Sequence, residues 1–286
     1  MALILLAILV VLAASSAAPD LTRLRDFSWL KSWLGPLTES TGGFARSTGA
    51  LVVLIATPVL VLLLVQYVLG QPLAGSVGFI LNVVVLFYCF GPRDLDHDVE
   101  RLANAPDAQT RQSAAASLLI TRMDGTAAID GVFESALKRW FGVLFWFACF
   151  GAAGALLYRL SQVLADSRSE ELRFSAAQRE ALETFAAALA FLPAHLMSLG
   201  LALASDFDAV ARAWRQHHEE HGKGWLHLDL GFLTAAARAL VDTDDLEPVD
   251  GGQIVQGARQ AQQLVWRVLI AWLAALALLV LMGWSS

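Results

Sequence analysis

Three groups of residues in this chain carry side chains able to do chemistry. Arg93-Asp94-Leu95-Asp96-His97-Asp98-Val99-Glu100 gathers carboxylates and an imidazole in one short run, and hard oxygen donors of that kind can hold a divalent cation. On a helix, alternate positions fan apart around the axis rather than converge. The run therefore reads first as the charged mouth of an apolar segment, and no metal is assigned to it. His217-His218-Glu219-Glu220-His221 places His217 and His221 on one helical face and formally fits the H-x-x-E-H pattern of some zinc peptidases. It offers no third ligand at a suitable spacing and reads as a charged turn. Gly222-Lys223-Gly224, which follows, lacks the preceding glycine and the following Ser or Thr of a phosphate cradle,.

The third group is scattered through apolar sequence. Glu134 and Lys138 are ordered for an i,i+4 ion pair, worth about 0.2–0.5 kcal/mol on an exposed helix. Arg139 follows them, Tyr158-Arg159 closes an apolar run, and His195 interrupts another. Placing an ionisable group against lipid costs about 2.5 kcal/mol or more, so such residues are expected to face a bundle interior. The candidate ligand-binding residues are Glu134, Arg139, Tyr158, Arg159, His195, Arg93, Asp94 and Asp96. No catalytic residue, metal or cofactor is assigned.

The elements that must position these residues are apolar helices. Hydrophobic residues make up 57% of the 286 and charged residues 16%, with a mean hydropathy of +0.57; a water-soluble domain carries about 25% charged residues. Too little charge is left to cover a surface in water. A crossing of the hydrocarbon core needs about 20 apolar residues, and the runs 2–18, 51–69, 73–90, 140–160, 185–203 and 264–283 are candidates. The first lacks the basic start of a secretory signal, although Ala14-Ser15-Ser16-Ala17-Ala18 has the composition of a cleavage site,. The fifth contains Pro193 and His195, so it crosses, kinks or re-enters. The expectation is an all-α, multi-pass bundle in one membrane domain, residues 1–286, with amphipathic polar helices in 91–139 and 205–263, resident in a bacterial inner membrane.

Lysine and arginine concentrate in cytoplasmic loops. Arg23, Arg25, Lys31 and Arg46 follow the first run, and Arg93, Arg101, Arg111, Arg122, Lys138 and Arg139 precede the fourth, whereas the Gln71-Pro72 hairpin has none. Six crossings then place 19–50, 91–139 and 205–263 in the cytoplasm and both termini outside. Arg168, Arg173 and Arg179 fall on the outer side, against the rule. The net charge of −6 and the absence of a basic cluster exclude nucleic acid as a partner,. Cys89 and Cys149 both sit in apolar runs and read as small hydrophobes,.

The polar stretches are helical by spacing. Ile129, Val132, Phe133, Ala136, Leu137, Trp140 and Phe141 form one stripe, opposite Asp130, Glu134 and Lys138,; this helix is expected to lie on the membrane surface before entering it. Ser175-Ala-Ala-Gln178 and Ser205-Asp-Phe-Asp208 have capping-box spacing,. Asp242 to Pro248 reads as an acidic loop.

The stretch 136–146, Ala-Leu-Lys-Arg-Trp-Phe-Gly-Val-Leu-Phe-Trp, followed by Gly151-Ala-Ala-Gly-Ala-Leu-Leu-Tyr158-Arg159, resembles the AmpE branch of the AmpE/CobD-like membrane family. Gly91 to Glu100, and Phe191-Leu-Pro-Ala-His195 with Asp206-Phe-Asp208, resemble it too, so the likeness runs from about residue 80 to 220. The cobalamin (CbiB) branch comprises membrane synthases that join an aminopropanol arm to a corrin carboxylate. That branch carries Glu-Asn-x-x-x-Asp before the tryptophan element and Asn-Thr-Leu-Asp after the Tyr-Arg. Here Glu134 matches, but Ser135 stands for the Asn and Lys138 for the Asp, and Gln162 and Ala165 hold the later polar positions. The resemblance thus implies a regulator rather than an enzyme, linked to β-lactamase induction and cell-wall recycling, with a cell-wall-derived ligand or another envelope protein as partner beside the lipid bilayer. The alternatives are a CbiB-like synthase of the adenosylcobinamide-phosphate synthase type and a small-solute permease.

Overall fold

A computed structural model describes residues 2–17, 25–39, 47–69, 75–91, 94–166, 174–221, 228–241 and 252–282. Arg93, the Gln71-Pro72 hairpin, Gly222-Lys223-Gly224 and the 242–248 loop lie outside them. The described residues are helical, with no strand among them: α1 (Ala2–Ala17), α2 (Ser28–Glu39), α3 (Thr48–Leu69), α4 (Gly75–Cys89), α5 (Leu95–Ala103), α6 (Ala108–Ser117), α7 (Gly125–Ala136), a π-helical turn (Leu137–Phe141), α8 (Gly142–Ala165), α9 (Ala176–Ala204), α10 (Phe207–His221), α11 (Gly231–Arg238) and α12 (Gly252–Leu281). They cluster as two compact units, residues 1–92 with 142–189, and residues 93–141 with 190–286.

Four stretches are long and apolar enough to cross a membrane: Thr48–Leu69, Gly125–Ala165, Ala176–Ala204 and Gly252–Leu281. Their unburied faces are apolar as well. On α3, Val52, Leu60 and Leu64 are 62%, 60% and 63% exposed, a surface that lipid tolerates and water does not. The chain is a multi-pass helical membrane protein.

The first unit packs α2, α3, α8 and the start of α9 around Leu30, Leu34, Leu54, Ile55, Leu160, Leu164 and Leu182. Arg25 ties helix ends together: its guanidinium donates to the Phe90 carbonyl at 2.9 Å, the Gly91 carbonyl at 3.2 Å and the Ser15 hydroxyl at 2.7 Å. The carbonyls it takes belong to the two residues that follow α4. The capping box at the start of α9 forms as its spacing predicts, Ser175 N donating to Gln178 Oε1 at 3.0 Å and Gln178 N to Ser175 Oγ at 3.2 Å.

The apolar run 140–160 is not one straight helix. Gly151 breaks α8 with φ +64° and ψ −150°, a conformation open to glycine alone. The chain then doubles back. A Cβ on Gly154 would overlap the Trp146 carbonyl oxygen, and one on Gly142 would overlap the Tyr158 ring. Along an unbroken helix those pairs would stand about 12 and 24 Å apart. Residues 142–150 and 152–165 are therefore two antiparallel arms in glycine-mediated contact. At their apex, Ala152 N donates to Asn82 Oδ1 at 3.2 Å and Ala153 N to Gln66 Oε1 at 3.0 Å, while Gln66 Nε2 donates to Asn82 Oδ1 at 3.1 Å and Asn82 Nδ2 to the Gly78 carbonyl at 3.0 Å. Two amide side chains from α3 and α4 thus satisfy donors that the helix break has freed.

In the second unit, the predicted stripe of α7 is buried throughout, from Ile129 to Phe141. Its cover is protein rather than a membrane surface, which corrects that expectation: α11 and α12 pack on it. Gly257 allows the approach, since a Cβ there would stand 2.6 Å from the Gly125 carbonyl oxygen. The cap of α10 also differs from the expected Ser205 box. Asp206 Oδ1 accepts from Ala209 N at 3.0 Å, because the carboxylate one residue on has the reach to N3.

Candidate functional site

The second unit holds the polar centre closest to the sequence candidates. α5 begins at Asp94, whose carboxylate accepts from Asp96 N at 3.2 Å as N-cap. The three aspartates of this run fan apart, as alternate spacing requires. Asp94 caps. Asp96 turns to α12, where Trp266 Nε1 donates to its Oδ1 at 2.9 Å and Gln262 Nε2 donates to the same oxygen. Asp98 points inward and is fully buried.

Arg139 reaches Asp98 from the π-helical turn. Its Nη1 donates to Asp98 Oδ2 at 2.8 Å, and its Nη2 donates to the Ser117 carbonyl. Arg101 stands 3.8 Å from the other oxygen of Asp98. The Ser117 carbonyl is available because α6 ends there, the chain turning through Leu119 at φ +60°. A π turn inserts an extra residue into the helical ladder and swings Arg139 inward, while the aromatic stripe continues through Trp140, which meets the Trp266 ring at 5.5 Å. The pair ties α5 to the π-helical turn, while Asp98 Oδ1 accepts no hydrogen bond among the described residues. Glu134 stays exposed and Lys138 half-buried on the outer face of α7, one turn on from Asp130, which takes both nitrogens of a forked pair with Arg238. That pair raises the Arg238 pKa above its ordinary value, through the Asp130 hydrogen bond first.

His195 lies elsewhere in the same unit. Its Nδ1 stands 2.8 Å from the Phe191 carbonyl oxygen, and its ring packs against Phe191, Phe232 and Trp214 at 4.2, 4.3 and 5.6 Å. This is an aromatic nest in which the imidazole is bonded along its own helix. His217 turns to Asp229 at 3.4 Å, away from a shared ligand position. Among the described residues, no group of three or more His, Cys, Asp or Glu side chains converges as a metal site.

Tyr158 and Arg159 belong to the first unit. Tyr158 is fully buried against Gly142. Arg159 is buried with its guanidinium 5.5 Å from the Phe27 ring centroid. The structure therefore gathers Asp96 and Arg139 around α5, leaves Glu134 on the open face beside them on α7, and sets His195 apart. Asp98, Ser117, Gln262 and Trp266 were not among the sequence candidates. Asp98 stood in the acidic run, but nothing local marks its partner, 41 residues away. Ser135, at the position of the cobalamin branch's Asn, is fully buried with its hydroxyl unpartnered among the described residues.

Comparison with known proteins bears on the choice between branches. The family profile described as CobD/Cbib protein matches residues 21–226. A curated relative, the cobalamin biosynthesis protein CobD of Stutzerimonas stutzeri (strain A1501), is 30% identical over 159 residues, 50% of this chain and 50% of the relative. The chain thus spans about half the length of the curated relative it matches. No solved structure matches. The profile is that of the CobD/Cbib proteins and the curated relative is named a cobalamin biosynthesis protein CobD, which corrects the expectation of an AmpE-type regulator of β-lactamase induction with a cell-wall-derived ligand. That expectation rested on the motif resemblance together with the loss of two carboxylates, and the profile match runs through both units. With the profile covering the acidic run, the π turn and the Tyr-Arg pair alike, this chain belongs to the CobD/Cbib family.

Proposed function

We propose that the protein serves cobalamin biosynthesis as a CbiB-like synthase of the adenosylcobinamide-phosphate synthase type, embedded in a bacterial inner membrane. The observation that carries this is the family match over residues 21–226. The geometry supports a site on the open face of α7. Asp98 fixes Arg139 and the π turn from behind, and this sets the register of Glu134, the one residue of the Glu-Asn-x-x-x-Asp element that is retained. Lys138, one turn on, brings a cation where the resembled synthases carry a carboxylate. A cation suits a carboxylate or phosphorylated group on the substrate, so the substrate's charge is held directly rather than through a bridging metal. A corrinoid acid takes the place of a cell-wall fragment as the expected ligand.

Expression in a strain lacking its cobalamin synthase tests the proposal. Growth dependent on the corrinoid precursor should be restored by the native chain. It should be lost with Glu134→Gln and with Lys138→Glu at unchanged protein abundance. Failure of the abundant native chain to restore growth, or full restoration by both variants, refutes it.

A further inference from the structure

We propose that the first unit carries a lipid site, a groove between α3, α8 and α9 that holds one acyl chain of an anionic phospholipid with the headgroup beside Thr48 and Arg179. The inference goes beyond the function proposed above and uses nothing from it. Every residue it needs belongs to the first unit.

Shape selects the occupant. Leu51, Ile55 and Ala56 of α3, Leu157 of α8, and Ala181 and Phe185 of α9 line a cavity of about 310 Å³, at the lower end of the range of about 300–1,000 Å³ for small-ligand sites. Small side chains at Ala56 and Ala181, on two different walls, keep it open. Val52 and Phe185 on its rim are 62% and 38% exposed, and on a helix that crosses the membrane an unburied apolar side meets lipid. From Thr48 to Ala56 the groove follows α3 for about 12 Å. A helix segment of that length fills about 900 Å³, so neither a partner's helix nor one from a second copy fits within it. An extended hydrocarbon chain does.

The groove also has a polar end and an apolar end. Over its 22 residues α3 rises about 33 Å,, close to the thickness of about 30 Å of a hydrocarbon core, which sets Thr48 at one boundary and Ala56 within the adjoining leaflet. α9 begins at the same level as α3, because Gln178 Nε2 donates to the Ser47 carbonyl at 3.4 Å. Thr48 is the polar residue of an otherwise apolar lining. Arg179 is exposed on the first turn of α9, and helical pitch places it nearer the groove than Glu180 or Glu183.

That distribution of charge and oil is complementary to one phospholipid molecule. A guanidinium at the boundary suits a phosphate oxygen, and the starts of α3 and α9 add the positive ends of two helix dipoles at the same level. The long stem of an arginine can follow apolar surface while its head stays at the headgroup level. Below it, the chain attached to that phosphate runs along α3 past Leu51 and Ile55 to Ala56.

The full chain, purified in mild detergent and stripped of lipid, tests the proposal by native mass spectrometry with added phosphatidylglycerol or with phosphatidylcholine of the same acyl chains. The native chain should retain one phosphatidylglycerol at least fivefold more tightly than phosphatidylcholine. Ala56→Leu and Ala181→Leu fill the groove from different walls, and each should weaken retention of phosphatidylglycerol at least fivefold at unchanged helical circular dichroism. Should one of the two fail to fold, the other reads the same space, and Arg179→Gln, which alters an exposed side chain alone, should bring phosphatidylglycerol down to the level of phosphatidylcholine. A native chain that retains neither lipid or both equally, a folded filling variant that retains phosphatidylglycerol as the native chain does, or a preference that survives Arg179→Gln overturns the proposal.

Discussion

Replacing Asn82 by Leu preserves approximate volume and deletes the amide clasp at the apex of α8. Asn82 Oδ1 accepts from Ala152 N and from Gln66 Nε2, and its Nδ2 donates to the Gly78 carbonyl, so three hydrogen bonds vanish. Interhelical side-chain bonds in membrane proteins average about 0.6 kcal/mol and protein bonds in general about 1 kcal/mol, which gives a loss of about 2–3 kcal/mol. Gln66→Leu removes the bond to Ala153 N and the bond to Asn82, a loss of about 1–2 kcal/mol on the same scale. The two substitutions share one bond, so the double variant should cost about 0.6–1 kcal/mol less than the sum. Reversible unfolding in mixed micelles, titrated with a denaturing detergent and followed by far-UV circular dichroism, measures all three. If Asn82→Leu shifts stability by less than about 0.5 kcal/mol, or the double variant is additive, the clasp does not hold the break and the energetic account of the apex is wrong.

Other outcomes follow from the same contacts. Asp98→Asn leaves Arg139 facing a neutral partner in the interior and should cost about 3–5 kcal/mol, whereas Asp98→Leu with Arg139→Met should cost far less than either single change; thermal unfolding of the four proteins checks this. Gly142→Ala should destabilise through overlap with the buried Tyr158 ring, by about 1–3 kcal/mol, and Tyr158→Leu should recover part of the loss in the same background. Leu119→Gly relieves a left-handed leucine and should raise stability by about 0.5–1 kcal/mol after glycine's own entropy cost, read as a higher unfolding midpoint. Asp107 caps α6 by accepting from Thr110 N at 2.7 Å, which lowers its pKa below the ordinary value. Its contribution is therefore present above that value and is lost as pH falls through the lower one, so Asp107→Asn should leave unfolding unchanged near neutrality and flatten its acid limb.

The lipid-facing helices were legible because burial in oil needs only quantity: α3 and α12 fall where the apolar runs place them. The α9 cap was legible because Ser175 and Gln178 bond within one turn. The fold of 140–160 was not. Hydropathy sums a run regardless of direction, and Gly151-Ala-Ala-Gly154 in an apolar segment is indistinguishable from ordinary close helix packing until Gln66 and Asn82 are known to meet it. The same limit applies to the site. The carboxylate fan from Asp94 to Asp98 follows from helical pitch, but what each carboxylate meets depends on Arg139, Gln262 and Trp266, which are distant in sequence. His195 sat in an apolar run as predicted, yet its hydrogen bond closes onto its own helix at Phe191.

The uneven cover along α12 sets how each half tolerates change. From Ile254 to Leu269 one face is locked into protein, whereas Ile270, Leu278, Leu281 and Met282 stand 61%, 59%, 82% and 82% exposed. A single rod therefore answers to two solvents. Near its start, shape matters, and exchanging one aliphatic residue for another disturbs a fitted surface. Near its end only greasiness counts, so randomising that half among Leu, Ile, Val and Phe should leave a working library, while the same alphabet applied to the first half should leave few survivors.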